Sequence, residues 1–427
     1  MDLHSDLSEN SQTSMILRTH RELLASSRTV NESCPQRYAL YTVTRIICRK
    51  KITARDNMLK RFAVKNYKNF NGRTEISFDN VRNYEFNKKY VKDGLLNKII
   101  VLGKNGSGKT NLGFAIFDIV VTLTSNQYSP YQTDDASFLN GDSTEKYATF
   151  EYEFKQGDKT IRYEYRKTHP FEIVYERLEV DGELYFSRDG DESDYTRLKN
   201  ECANDLRIDI KNGPMSVLRF VSSNTVQDEH SPVSFIMNFV NKMLYFKSDI
   251  EGNSFIGLNR YGETLTDFII NNGLEDDFKR QLNELGNIDI DIECVRIQDM
   301  PGTIVQRFKN SRLNFQNIAS SGTKTFMLFY YWSKRFDDVE FLYMDDFDAH
   351  YHHEMALNVL RFVAGRMDFQ TVFTTNNTAL LSNDVLRPDC YMIIGKDDIR
   401  SFSDSTEREI RRGHNIEKLY RSGEFDE

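Results

Sequence analysis

Hydrophobic and polar residues alternate along this chain with two different periods, and each period predicts a different structure. Between residues 148 and 187 apolar and polar residues alternate one by one, as in strands with one buried face. Four strands are predicted there, at Ala148–Phe154, Lys159–Arg166, Glu172–Val180 and Glu183–Ser187. Turn residues such as Asp181-Gly182 separate them, so this segment is predicted to be an antiparallel meander.

Short apolar runs followed by helical patterns lie toward the two ends of the chain. The run Ile99–Leu102 precedes helical spacing from Leu112 onward, and further runs lie at Val339–Met344, Gln370–Thr374 and Cys390–Ile394. A first strand and hairpin are predicted from Met58. Strands that alternate with helices form a parallel sheet whose carboxyl ends carry the functional loops. The predicted fold class is therefore α/β, with a mixed or parallel sheet and flanking helices.

The segment between the meander and the second group of runs is predicted to be mostly helical. Helical spacing is present at Tyr195–Asp205, Val233–Phe246, Thr264–Asn272 and Glu275–Leu285. None of these segments sustains apolar heptads over several repeats, so no long coiled coil is expected. The meander and these helices together are predicted to form an inserted subdomain.

These patterns predict four regions: an N-terminal extension at 1–57, the first part of the sheet at 58–141, the insertion at 142–300, and the second part of the sheet at 301–427. Residues 1–57 are rich in Ser, Thr and Asn, and a poorly ordered extension is favoured there over a small appended helix. The extension ends in basic residues, which are typical of a solvated surface and leave contact with nucleic acid open.

Composition narrows the class of protein. The 427 residues are 39% hydrophobic and 28% charged, and the net charge of −8 argues against a polycationic binder. No apolar run approaches the roughly 20 residues of a membrane span, and the polar N-terminus is unlike a signal peptide. Cytoplasmic localisation, without a membrane partner, is expected. The scattered cysteines indicate reduced thiols: Cys34, Cys48, Cys202, Cys294 and Cys390.

A complete G-x-x-x-x-G-K-[ST] phosphate-binding loop, the P-loop, stands between the run at 99–102 and the helical pattern that follows. Its residues are Gly103, Lys104, Asn105, Gly106, Ser107, Gly108, Lys109 and Thr110, and Asn111 follows. The glycines let backbone N–H groups surround an anion, and the helix adds its positive dipole end. Lys109 is predicted to reach the β- and γ-phosphates and Thr110 to bind Mg²⁺, which gives ATP and Mg²⁺ as the expected cofactors.

A second group of polar motifs follows the later strands. Ser320, Ser321 and Gly322 open a helical run at Thr325–Phe336, and Asp345-Asp346 ends the apolar run after Val339. The 23 positions from Gly322 to Asp345 leave room for one helix, a turn and one strand. The motif T-T-x-N-T ends the run that begins at Gln370 and contains Asn376. All these motifs are predicted at the carboxyl edge of one parallel sheet.

The order of these motifs resembles the ABC-type ATPase heads of the RecF, SMC and OLD-nuclease group. More narrowly, the segments DDFDAHYH from Asp345, RPDCY from Arg387 and GHNIEK from Gly413 are similar to stand-alone ATPases of bacterial phage-defence and abortive-infection loci. The resemblance covers about 58–125 and 302–425, and matches the middle only loosely.

The resemblance implies a role for each motif. Asp345 stands where these heads have the Mg²⁺-associated aspartate, and Asp346 where they have the catalytic carboxylate that positions or deprotonates water. Ser320, Ser321 and Gly322 would approach the γ-phosphate of ATP bound to the opposite subunit, which implies a homodimer or higher oligomer. Asp348–His352 would cross the dimer interface. Lys109 and Asn376 complete the implied catalytic group.

The chain departs from the pattern of these heads at two positions. Asp346 is one methylene shorter than the usual glutamate, and Asn376 replaces a histidine that contacts the γ-phosphate. An amide can donate a hydrogen bond but cannot become a cation, so slow hydrolysis is expected. Gln127 and Gln132 are alternative Mg²⁺-sensing glutamines. The histidines at His350, His352 and His353 are interpreted as an interface rather than a metal site.

The favoured function is an ATPase that dimerises around ATP and acts as the sensor or switch subunit of an anti-phage defence system. Only 33 residues follow Ile394, too few for the nuclease domain of the OLD group, so a separate nuclease or toxin effector is expected. The alternatives are a RecF-like repair ATPase that binds duplex DNA and a nucleotide-binding scaffold with negligible turnover.

Overall fold

The computed structural model describes residues 57–126, 128–202, 204, 206–210, 212–247, 254–258, 264–296, 302–396 and 398–425. The strands, in chain order, are β1 Asn57–Lys65, β2 Thr74–Ser77, β3 Val91–Lys92, β4 Leu95–Leu96, β5 Lys98–Leu102, β6 Ala148–Gln156, β7 Lys159–His169, β8 Glu172–Val180, β9 Glu183–Arg188, β10 Met243–Lys247, β11 Phe255–Gly257, β12 Ile292–Val295, β13 Thr303–Arg307, β14 Arg312–Asn314, β15 Phe341–Asp345, β16 Gln370–Thr375, β17 Tyr391–Ile394 and β18 Ile399–Ser401. The α-helices are α1 Lys109–Ile116, α2 Asp118–Leu123, α3 Thr196–Cys202, α4 Val217–Asn224, α5 Pro232–Asn241, α6 Leu265–Asn271, α7 Glu275–Glu284, α8 Phe315–Ile318, α9 Ser321–Ser333, α10 His353–Ala364 and α11 Ile416–Arg421.

A seven-stranded sheet in the order β11-β10-β15-β16-β5-β17-β18 forms the centre of the described structure. Its five inner strands are parallel, and an antiparallel strand closes each edge. The strands β5, β15 and β16 are buried along their whole length, as expected for a parallel sheet with both faces covered. This is the mixed sheet with flanking helices that the sequence predicts. Its parallel order brings the ends of β5, β15 and β16 to one edge.

Helices cover both faces of the seven-stranded sheet. On one face α1 and α2 pack through Phe117, whose ring lies 5.8 Å from that of Tyr245 and 6.4 Å from that of Tyr343. On the other face Trp332 of α9 stacks on Phe246, with ring centroids 6.2 Å apart. Tyr245 and Phe246 are consecutive residues of β10, and their side chains lie on opposite faces of the sheet. Each therefore packs against a different helix.

A second sheet, antiparallel and in the order β2-β1-β6-β7-β8-β9, packs over the outer side of α1 and α2. The hydroxyl of Tyr152 donates to the carbonyl of Ala115 at 3.1 Å, and Lys167 forms a buried ion pair with Asp118 at 2.9 Å. The predicted meander supplies β6 to β9, and β1 pairs with β6. The sheet therefore continues across the predicted boundary at residue 142, because β1 needs a neighbour on its second edge.

The segment predicted to be helical from Val233 to Phe246 differs from the structure. Helix α5 ends at Asn241, and the buried residues Met243–Phe246 belong to β10, which pairs in parallel with β15. A short, continuously apolar run fits a buried helix and a buried strand equally well. The strand forms here because it pairs with the backbone N–H and C=O groups on the edge of β15 that β16 does not occupy. The three-stranded sheet β12-β13-β14 lies among the short helices that precede α9.

Several predictions concern residues outside the described part. The predicted extension at 1–57 lies there apart from Asn57, as do Cys34, Cys48 and Gln127. The described cysteines, Cys202, Cys294 and Cys390, are free thiols. None of the described helices is long and apolar enough to cross a bilayer.

Candidate functional site

The P-loop connects the end of β5 to the start of α1, as the motif requires. Gly106 and Gly108 have positive φ values of 80° and 103°, which only glycine adopts without strain, and Gly108 is the residue that caps α1. Lys104, Asn105 and Gly106 are exposed at the tip of the loop. The Lys109 ammonium is buried beneath it and donates to the Gly103 carbonyl at 2.8 Å and to the Lys104 carbonyl at 3.3 Å.

Asp345 lies at the centre of a buried hydrogen-bond network at the carboxyl edge of the sheet. Its Oδ2 accepts from the Thr110 hydroxyl at 2.7 Å and from the Tyr245 hydroxyl at 3.0 Å. Its Oδ1 accepts from the Thr374 hydroxyl at 2.7 Å. Burial raises the pKa of Tyr245 well above its usual value, so this phenol remains a neutral donor. The network fixes the Asp345 carboxylate against the first turn of α1.

Asp346 is the second residue of the segment Asp345–Asp348, which we call the acidic loop. Its φ of 45° is in the left-handed region, where Asp and Asn are tolerated better than most residues, and its N–H donates to the Thr374 hydroxyl at 2.8 Å. Burial and the Asp345 carboxylate raise the pKa of Asp346, against the opposing effects of Lys109 and Lys247. A carboxyl group with a raised pKa beside a phosphate-binding loop is typical of a general base.

The end of β16 fixes the far side of the acidic loop. The Thr375 hydroxyl donates to Asp348 Oδ1 at 2.6 Å, and the Asn377 N–H donates to the Thr375 hydroxyl at 2.9 Å. Burial raises the pKa of Asp348. Asn376 points to the P-loop, where its Nδ2 donates to Asn105 Oδ1 at 3.0 Å. The structure thus brings Lys109, Thr110, Asp345, Asp346 and Asn376 to one edge of the sheet.

The donor set at this edge fits Mg²⁺. The Thr110 hydroxyl and the Asp345 carboxylate converge within 2.7 Å, and both are the hard oxygen ligands that Mg²⁺ prefers. When bound, Mg²⁺ neutralises charge on the β- and γ-phosphates of a nucleotide. An open pocket of 590 Å³ begins at this point, lined by Thr110, Asn111, Phe114, Tyr245 and Lys247 among others.

The motif Ser320-Ser321-Gly322 stands at the start of α9. Ser320 caps α9, since its hydroxyl accepts from the Thr323 N–H at 3.2 Å, and Ser320 and Ser321 are exposed. Gly322 packs closely on the acidic-loop side of α9, because a Cβ there would lie 2.7 Å from the His350 carbonyl oxygen. Among the described residues these three make no hydrogen bond to the P-loop, so they stay predicted ligands of a nucleotide on another subunit.

The structure also describes Gln132, one of the two predicted Mg²⁺-sensing glutamines, and the histidines that follow the acidic loop. Gln132 is fully buried, and its Nε2 donates to the carbonyl of Phe114 at 3.2 Å. His352 caps α10 by accepting from the Met355 N–H at 3.3 Å. Across the described ranges no three His, Cys, Asp or Glu side chains gather as a metal site.

Sequence reasoning missed the residues that hold Asp345 in position. Thr374 lies in the T-T-x-N-T motif, but its bonds to both aspartates depend on the pairing of β15 with β16. Tyr245 and Tyr343 carry no local signal, although Tyr343 donates to the carbonyl of Lys109 at 2.6 Å. Only the parallel register of β10 and β15, which pairs Tyr245 with Tyr343, makes these side chains neighbours.

Comparisons with solved structures return ATPase heads at low sequence identity. The SMC head domain from Thermotoga maritima gives a TM-score of 0.37 at 12% identity, over 80% of this chain and 98% of the other. The Smc head domain derived from Pyrococcus furiosus, bound to the C-terminal domain of ScpA, gives 0.41 at 12%, over 81% and 96%. The recombination mediator protein RecF-ATP gives 0.39 at 13%, over 82% and 99%.

A family model supplies the assignment. No curated protein sequence matches this chain. Residues 99–382, well over half of the chain, match the family described as "AAA domain, putative AbiEii toxin, Type IV TA system". The match includes the P-loop, Ser320–Gly322, the acidic loop and Asn376, so the predicted fold class is confirmed. The chain therefore belongs to this AAA-domain family, and its P-loop lies at the edge of the mixed sheet with flanking helices that the sequence predicts.

Proposed function

We propose that this chain binds ATP with Mg²⁺, hydrolyses it to ADP and phosphate, and dimerises around the bound nucleotide. One observation carries the proposal: the Thr110 hydroxyl of the P-loop and the Asp345 carboxylate of β15 lie 2.7 Å apart. These groups are 235 positions apart in the sequence, and their contact creates a hard-oxygen site beside a loop whose N–H groups suit phosphates.

The remaining residues of the site have distinct roles in this proposal. The P-loop N–H groups and Lys109 bind the β- and γ-phosphates, and Thr110 and Asp345 hold Mg²⁺. Asp346 positions the attacking water and accepts its proton, helped by burial, which raises the pKa of its carboxyl group. Asn376 donates a hydrogen bond to the γ-phosphate from across the loop.

Dimerisation rests on the exposed motif that begins α9. Ser320, Ser321 and Gly322 offer hydroxyl and N–H groups at the N-terminus of a 13-residue helix, a suitable site for an anion. In the proposed dimer they contact the γ-phosphate of ATP held by the partner's P-loop. ATP would then connect the two subunits, and hydrolysis would release them.

The proposed biological role is the sensor or switch subunit of an anti-phage defence system, working in the cytoplasm with a separate nuclease or toxin. The family description, which names an AbiEii toxin and a type IV toxin–antitoxin system, supports this role. A trigger that changed the ATP-bound dimer would activate the effector.

The test is steady-state phosphate release by the purified protein in Mg²⁺, with Lys109→Ala as the blank and Asp346→Asn as the chemical variant. Asn tolerates the φ of 45° at this position, so the backbone should be retained. We expect turnover above the blank and a loss of about a hundredfold or more in Asp346→Asn with ATP binding retained, the usual contribution of a general base.

Light scattering on the same proteins tests the dimer. ATP-loaded Asp346→Asn should be dimeric, and Lys109→Ala should remain monomeric. Full turnover in Asp346→Asn would show that Asp346 is not the base, and wild-type turnover equal to the blank would leave the scaffold function. Acceleration by duplex DNA would favour the DNA-repair function.

A further inference from the structure

Lys247 ends β10 directly beside Asp345. The two strands are parallel, and their register pairs Tyr245 with Tyr343 and Lys247 with Asp345. The rings of Tyr245 and Tyr343 stack 5.6 Å apart on the face covered by α1. Because strand side chains alternate, Lys247 leaves the sheet on this same face, two residues closer to the edge where the nucleotide is proposed to bind.

The surroundings of Lys247 also point to a ligand. Lys247 is half-buried and lines the 590 Å³ pocket together with Thr110 and Asn111. Within the described ranges its ammonium has neither a hydrogen bond nor an ion pair. Lys68, on another wall of the same pocket, differs: its ammonium donates to the Tyr131 carbonyl at 2.9 Å and to the Ser137 hydroxyl at 3.2 Å.

The charged groups at the carboxyl edge of the seven-stranded sheet suggest that a second cation, besides Lys109, contacts the phosphates. Lys109 and Lys247 are the two cations that act on Asp346. Asp345, Asp346 and Asp348 supply negative charge around the place of the γ-phosphate, and Asn376 is neutral. Lys109 alone would leave most of the charge on a terminal phosphate uncompensated by protein groups.

We propose that the Lys247 ammonium binds the γ-phosphate of ATP within the same subunit. The inference rests on the ATP binding proposed above and adds a determinant of specificity. ADP has no phosphate at this position, so the contact favours ATP over ADP. It also supplies the positive charge that an amide at Asn376 cannot provide.

The test is equilibrium binding of ATP and of ADP, each with Mg²⁺, to the full chain by isothermal titration calorimetry. For Lys247→Met we expect ATP to bind about ten- to a hundredfold more weakly, the usual effect of losing a hydrogen bond to a charged group, and ADP to bind within twofold of wild type. Lys247→Arg should retain the preference for ATP. Lys68→Met is the matched control. It removes a cation from the same pocket, but the Lys68 ammonium already donates hydrogen bonds to protein groups.

An unchanged ratio of ATP to ADP affinity in Lys247→Met would overturn the proposal, as would an equal change in Lys68→Met. Lys247→Gln gives the same comparison if the methionine variant does not fold, as judged by its thermal melt without nucleotide. The failure of the proposed function looks different: wild type would bind neither nucleotide, or Lys109→Ala would bind ATP as wild type does.

Discussion

At the scale of single residues, one threonine organises both aspartates of the site. The Thr374 hydroxyl donates its proton to Asp345 and accepts the N–H of Asp346, so it uses its donor and an acceptor at once. This pair of bonds holds Asp346 in its left-handed conformation. The conformation disfavours longer side chains more than aspartate, which gives a physical reason for the shorter acid where a glutamate is usual.

Replacing the hydroxyl should therefore destabilise the site. For Thr374→Val we expect the free energy of unfolding to fall by roughly 1–3 kcal/mol, because a buried carboxylate oxygen and a backbone N–H each lose a partner. Urea denaturation followed by the fluorescence of Trp332, the single tryptophan, measures this.

Thr371→Val on the same strand is the control for Thr374→Val. The Thr371 hydroxyl is buried and finds no hydrogen-bond partner among the described residues, so this variant should be neutral or more stable. Equal losses in the two variants would mean that β16 simply does not tolerate valine. The bonds of Thr374 would then not be the cause.

At the scale of elements, the position of α1 depends on a glycine. A Cβ at Gly113 would lie 2.7 Å from the ring of Tyr343 and 2.8 Å from the ring of Tyr245. The helix can approach the sheet closely only because this side chain is missing. That approach allows Tyr343 to reach the carbonyl of Lys109 and Tyr245 to reach Asp345.

Gly113→Ala should thus destabilise the protein although alanine is the better helix former. We expect a loss of roughly 1–3 kcal/mol in the free energy of unfolding, as in other overpacked cores, together with weaker ATP binding. Thermal denaturation and calorimetric titration would measure both. Gly141→Ala, where nothing lies within 4 Å of the added Cβ, should change neither, and a stabilised Gly113→Ala would contradict the tight packing.

At the scale of the described molecule, α1 and α2 lie between the two sheets, and a buried charge pair joins α2 to the six-stranded sheet. Asp118 of α2 accepts from Lys167 of β7 at 2.9 Å and from the Tyr165 hydroxyl at 2.9 Å. Burial lowers the pKa of Lys167, and Asp118 opposes this effect. The pair therefore joins the six-stranded sheet to α2, which directly follows the helix that begins at the P-loop.

Breaking this pair on one side should be costly. Lys167→Met leaves Asp118 charged and buried, and we expect the free energy of unfolding to fall by about 3–5 kcal/mol. Adding Asp118→Asn should recover much of the loss, because the uncompensated charge is then gone. Lys159→Met, at an exposed position on the same strand, should stay within about 0.5 kcal/mol of wild type in urea denaturation. A small effect of Lys167→Met would show that the pair does not stabilise the contact between α2 and the six-stranded sheet.

Much of this structure was predictable because the sequence patterns that specify it span only a few neighbouring residues. The meander strands match their predicted positions, since period-two alternation and turn residues act over a few neighbours. The P-loop, the strand before Asp345 and the strand before Asn376 are likewise found where the sequence predicts them. The roles of Ser320–Gly322, the region boundaries and the behaviour of residues 1–57 stay predictions.

The sequence by itself determined the phosphate loop and the meander strands, because these patterns need only their immediate neighbours, and it predicts which residues carry the chemistry. Tertiary structure alone decided that 243–247 is a strand, that β1 joins the meander, and that Tyr245, Thr374 and Lys247 stand beside Asp345. The physical reason is pairing between distant strands. Which edge a strand occupies depends on the free backbone groups of strands that are distant in the sequence, as in the pairing of Lys98 with Thr371, and no local pattern encodes that choice.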